Sequence, residues 1–146
     1  MNKLLSILAK DLAELEKAAD TLHYSFDKCR HIGVTAGLDN DALESFEALT
    51  SRFARLSDML IQKVFRTIDM VELEDAGTVR DRINRAAKKK IIADADVFVE
   101  IRLLRNEIAH EYQSETIHVI FEKVLQMTPA LLEGVDLTLN YAAGIP

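Results

Sequence analysis

Eight consecutive residues, Arg105-Asn106-Glu107-Ile108-Ala109-His110-Glu111-Tyr112, bring a strong cation, an amide, an imidazole and a phenol together. No other stretch of the chain combines these groups. A guanidinium matches phosphate oxygens through paired N–H donors and stays charged at any working pH. Arg105 could therefore stabilise the negative charge that grows at a phosphorus under attack. Imidazole titrates near neutrality, so His110 could take a proton from a ribose 2′-OH or give one to a leaving 5′-oxygen. Asn106 could orient either group. This is the chemistry of RNA cleavage without a metal. The plainer reading of the same residues is that Arg105 pairs with a carboxylate, His110 ends a helix and Tyr112 is a packing anchor.

Helical spacing decides which of these groups share a face. Arg102, Asn106 and His110 recur every four residues and lie along one stripe. Arg105 and His110 are five apart, about 140° round an ideal helix. They converge more readily if the helix loosens near His110, or if a two-fold axis brings in a second copy.

The elements that must hold these residues are all helices. Leu5, Leu8, Leu12, Leu15, Ala19, Leu22, Phe26 and Cys29 alternate at spacings of three and four, a heptad seam that predicts a first helix ending near Arg30-His31-Ile32. Ile7, Ala9, Ala13 and Ala18 are expected to widen its apolar face, and Tyr24 and Tyr141 to join the core. After Gly33 and Gly37, Asp39 or Asn40 can cap a second helix. Its stripe runs Leu43, Phe46, Leu49, Phe53, Leu56, Leu60, Val64, Ile68. Two long helices joined by a short loop should lie antiparallel. Gly77 interrupts the pattern, and Thr78 with Asp81 starts a short basic helix. Asp94 or Asp96 starts a fourth, with Val97, Phe98, Ile101, Leu104 and Ile108 inward. Ser114 starts a fifth. Pro129 either kinks that helix or stands in the first turn of a new one capped by Thr128. The expected fold is all-α, an up-and-down bundle of four to five main helices in one domain over 1–146.

Composition narrows the function. The formal net charge of −6 argues against a general nucleic-acid binder. Between Val79 and Arg105, however, eight basic residues (Arg80, Arg82, Arg85, Lys88, Lys89, Lys90, Arg102, Arg105) stand against four acids. That region leads into the Arg-His segment and is a candidate RNA contact. Its plain reading is a solvated helix end. The single Cys29 excludes an internal disulfide, and its place on an apolar stripe marks a buried thiol. No His pair has i, i+4 spacing and no HExxH run occurs, so neither a metal nor a cofactor is expected. The absence of a long apolar run or a signal-like start points to a cytoplasmic protein with no membrane span. There is no Gly-rich phosphate loop, so the chain is not itself a nucleotidyltransferase.

The run R-N-E-I-A-H-E-Y of Arg105–Tyr112 fits the Arg-x4-His-x-Tyr pattern of HEPN-domain proteins and resembles most the HepT-type toxins of prokaryotic toxin–antitoxin pairs. The resemblance covers nearly the whole chain: a long helix pair precedes the motif, the motif closes a late helix, and a further helical region follows. Ile101-Arg102-Leu103-Leu104 before the motif is similar to what that family places there. The resemblance implies a helical-bundle homodimer with sites facing across a cleft. It further implies a metal-independent endoribonuclease with Arg105 and His110 as the catalytic pair and Asn106 as polar helper. The implied partner is a minimal nucleotidyltransferase antitoxin, which can transfer AMP to the motif tyrosine, here Tyr112. The alternative is a non-enzymatic helical adaptor, the substrate-binding subunit of such a nucleotidyltransferase.

Overall fold

Leu8, Leu15, Leu22 and Cys29 recur every seven residues and all four are buried. They form the seam of helix α1 (Asn2–Ile32). In this computed structural model the backbone is described for residues 2–35, 37–110 and 114–146, and side chains for 3–35, 37–110 and 117–146. Leu12, Ala19 and Phe26 are half-buried beside the seam. Of the broader apolar face expected for α1, Ala18 is half-buried against the core, whereas Ile7, Ala9 and Ala13 are exposed. Tyr24 is likewise outside the core, 65% exposed. The helix lies at the edge of the bundle, where neighbours cover one strip and the flanks face solvent. Burial pushes the Cys29 thiol above its usual pKa, which keeps it protonated and unreactive.

The chain returns through a loop that Asp39 terminates. Its Oδ1 accepts a hydrogen bond from the Ala42 N–H at 2.9 Å, satisfying one of the free donors of helix α2 (Asn40–Asp58). A π-helical turn (Met59–Val64) follows, and α3 (Phe65–Val71) continues the same rod. The rod runs antiparallel to α1. Arg52 donates to Ser25 Oγ at 2.8 Å at one end, and Thr67 donates to the buried Asp11 carboxylate at 3.1 Å at the other.

Helix α4 (Val79–Lys88) starts with a reciprocal capping box between Thr78 and Asp81, as the sequence predicts. Asp94 accepts from the Asp96 N–H at 2.9 Å where α5 (Ala95–His110) begins. Helix α6 spans Ser114–Ala143 without a break at Pro129. Thr128 does not cap a new helix, since its hydroxyl donates back to the Val124 carbonyl at 2.6 Å. The Phe46 and Phe121 rings stack 4.9 Å apart, and Tyr141 donates to Glu72 at 2.6 Å, so α6 runs parallel to the α2–α3 rod. Contacts of Arg105 with Asp58, and of Lys123 with Glu107, set α5 antiparallel to both. The result is an all-α up-and-down bundle. No described helix is long and apolar enough to cross a membrane.

One helix contact fixes the height of α5. Gly134 is buried within α6, and a Cβ there would stand 2.3 Å from Phe98 Cζ. The missing side chain is the notch that receives the Phe98 ring. Gly costs about 1 kcal/mol relative to Ala inside a helix, but filling the notch forces the ring or the helix aside, at about 1–3 kcal/mol. The net cost is about 0–2 kcal/mol, so Gly134→Ala should lower the thermal midpoint by up to roughly 6 °C, as read by circular dichroism. An increase would mean that Phe98 relocates freely.

Candidate functional site

Helix α5 buries Phe98, Ile101 and Leu104, and this inward stripe dictates where its polar residues go. Arg102 and Arg105 face the α2–α3 rod. Glu107 faces α6, where Lys123 Nζ lies 3.3 Å from its carboxylate. Asn106 is half-buried, and His110 is exposed as the last residue of the helix.

Arg105 grips Asp58 with a two-pronged ion pair, Nε to Oδ1 at 2.7 Å and Nη2 to Oδ2 at 2.9 Å. The hydrogen bonds that Arg105 donates to Asp58 raise its pKa above the ordinary value, so the guanidinium is charged throughout the working range. Asp58 takes two N–H donors and leaves the others. Arg102 shares the same carboxylate, with Nη1 at 3.6 Å from Oδ1. One turn further along the rod, the Gln62 amide lies between Arg102 and Arg82. In one orientation its oxygen accepts from Arg82 Nη1 at 3.3 Å. Turned over, the oxygen accepts from both Arg102 terminal nitrogens, at 2.9 and 3.0 Å. The two orientations are distinguished by hydrogen bonding alone, and we assign the second, which makes two shorter bonds. Asp58 and Gln62 bracket the start of the π turn, where the Phe65 N–H reaches the Leu60 carbonyl. Such single π turns occur often at functional sites.

Three guanidiniums from two helices thus meet one carboxylate and one amide. Neither Asp58 nor Gln62 emerges from the sequence as a site residue. Each sits beside the apolar stripe of a long helix, and only the packing of α5 on that helix gives it a role. The carboxylate partner anticipated in the plainer reading of Arg105 is Asp58.

The remaining basic residues divide into two groups. Arg85 pairs with Asp69 at 2.9 Å, and Lys89 with Glu72 at 2.5 Å and Glu74 at 2.6 Å. Burial disfavours the Lys89 ammonium, yet its bonds to Glu72 and Glu74 outweigh that and raise its pKa. The Lys89 bond likewise draws the Glu74 carboxyl below its usual range. Asp69 moves the other way, because its burial outweighs the nearby Arg85. These charges are occupied in tying α4 to the end of α3. Arg80, Lys88 and Lys90 are exposed and make no ion pair among the described residues. They are the part of the basic segment left to meet solvent or a polyanion.

The fold does not close Arg105 and His110 into one hydrogen-bonded pair. Helix α5 stays α-helical through His110, so their offset of about 140° persists, and no described hydrogen bond links them. Tyr112 lies outside the described residues, as does the side chain of the expected cap Ser114. Among the described residues, no group of three or more His, Cys, Asp or Glu is placed to hold a metal ion. No family model, curated protein or solved structure matches the chain.

Proposed function

We propose that this protein is a metal-independent endoribonuclease toxin of the HEPN kind, acting as a homodimer and restrained by a nucleotidyltransferase antitoxin. The observation that carries the reading is the guanidinium pair Arg102–Arg105, held beside Asp58 and Gln62 on the helix whose exposed end presents His110. A substrate phosphate needs a pre-positioned cation and a proton-transfer group, and α5 carries both. His110 removes the 2′-OH proton, the 2′-oxygen attacks phosphorus as the P–O5′ bond breaks, and the leaving 5′-oxygen takes a proton from water while His110 returns its own to solvent. The products are a 2′,3′-cyclic phosphate and a 5′-hydroxyl. Arg105 carries the charge that builds on the non-bridging oxygens. Asn106, half-buried on the stripe of His110, orients that ring or the substrate. Tyr112 is the residue on which the antitoxin would place AMP, covering the cleft with bulk and negative charge.

The 140° offset along α5 makes a two-copy site the natural arrangement, with Arg105 of one chain serving His110 of the other. Mixing separately inactive Arg105→Ala and His110→Ala proteins should then restore cleavage. Random exchange gives mixed dimers with one intact site of two, so about a quarter of wild-type activity should return. No recovery, with exchange verified by native mass spectrometry, would place both residues of a working site in one chain.

The bond between Arg105 and Asp58 favours a second reading, a helical adaptor in which Arg105 is structural. Expression without a partner separates the two: growth arrest that His110→Ala relieves belongs to the nuclease alone.

A further inference from the structure

Among the described residues, the arginine cluster has fewer hydrogen-bond acceptors than donors. Arg105 and Arg102 share the Asp58 carboxylate, and Arg102 and Arg82 compete for the single Gln62 amide oxygen. An amide presents one oxygen and carries no charge. When it serves Arg102, its NH2 group turns toward Arg82, donor against donor. Arg82 Nε is itself buried with no hydrogen-bond partner among the described residues. A buried charged donor left unpaired is costly. Three guanidiniums close together also repel one another; they face Asp58 and, from Arg82, the Asp69 carboxylate that Arg85 already binds, so the acids remain fewer than the cations. Elsewhere the same basic segment is well matched: Arg85 and Lys89 have three acids, Asp69, Glu72 and Glu74, between them. The deficit is confined to the face of α4 and α5 that meets the π turn.

We infer that Arg82, Arg102 and Arg105, arranged about Gln62 and Asp58, form a binding site for a phosphate group. A tetrahedral anion with several oxygens supplies both the acceptors and the negative charge that the cluster lacks, and guanidiniums bind it in the paired geometry they favour. Arg82 is the distinctive member. It comes from α4, well before the Arg-His segment in sequence, and reaches the cluster because α4 packs against the π turn that carries Gln62. The phosphate can belong to a polynucleotide backbone or to a free nucleotide. The backbone assignment rests on the ribonuclease reading, with Arg82 holding a phosphodiester next to the scissile one. The charge and acceptor count does not depend on that reading.

Calorimetric titration of the full chain with a 2′-deoxy oligonucleotide, which cannot be cut by 2′-OH attack, tests the site without requiring activity. Inorganic pyrophosphate and AMP serve as the free-phosphate arm. Arg82→Gln should weaken oligonucleotide binding about tenfold and reduce its salt slope by about one. Arg80→Gln, a neighbouring exposed cation, should weaken it less. Gln62→Glu supplies the absent anion within the protein. It should raise the thermal midpoint and weaken phosphate binding together, a combination that mere loss of packing does not produce. Tight binding to the oligonucleotide but not to AMP or pyrophosphate assigns the site to the backbone, and the converse assigns it to a nucleotide. No binding of any of the three by wild type, or equal binding by wild type and Arg82→Gln, overturns the inference. RNA cleavage with binding independent of Arg82 would remove the site and keep the nuclease. Arg82-dependent binding without cleavage would keep the site and remove the nuclease.

Discussion

Replacing His110 by Ala is expected to slow RNA cleavage by about 10²–10⁴-fold, the usual contribution of a positioned acid or base. The same change should leave stability within about 0.5 kcal/mol, because His110 is exposed at the end of α5 and its side chain fills no core position. This separation of effects makes His110 a cleaner test than Arg105. Arg105→Ala removes the two-pronged partner of Asp58 and therefore disturbs the α2–α5 contact as well as the chemistry. Arg105→Lys keeps a charge but loses the paired geometry, and comparing it with Arg105→Ala shows how much of the effect is positional. Full activity in a folded His110→Ala protein would remove the residue from the mechanism.

Phe98→Ala is expected to destabilise the fold by about 3–5 kcal/mol, the range for deleting a buried aromatic. Phe98 is only 3% exposed and has its own notch at Gly134. Gly134 offers no side chain to collapse into the space the ring leaves. Chemical denaturation of the two proteins measures the difference directly. Activity should fall more than the folded fraction, since α5 carries Arg102, Arg105 and His110 together. A loss below 1 kcal/mol would mean that the notch closes without cost and that α5 is held mainly by Ile101 and Leu104.

The helices were legible in the sequence because their signals are local. A seven-residue recurrence of Leu8, Leu15, Leu22 and Cys29 predicts the buried seam of α1, and Asp39 and the Thr78–Asp81 pair are recognisable caps. Where the signals depend on neighbours, the reading departed from the structure. Ile7, Ala13 and Tyr24 have the right character for burial, but no element covers them. The π turn at Met59–Val64 has no Gly or Pro to mark it and reads as ordinary helix. Of the candidate site, the residues on α5 were visible as a compact motif. Their partners were not, because Asp58 stands 47 positions before Arg105 and meets it only through tertiary packing. The same packing divides the basic segment, occupying Arg85 and Lys89 in ion pairs and leaving Arg82 on the cluster.

The central claim is that this chain cuts RNA with its own side chains. The most direct measurement is incubation of an end-labelled RNA with purified protein in excess EDTA, wild type beside His110→Ala, followed by analysis of the cut ends. The account predicts cutting by the wild type alone, leaving 2′,3′-cyclic phosphate and 5′-hydroxyl ends. Equal cutting by the two proteins, or none by either across RNAs of varied sequence and structure, would contradict it and leave the adaptor as the better description.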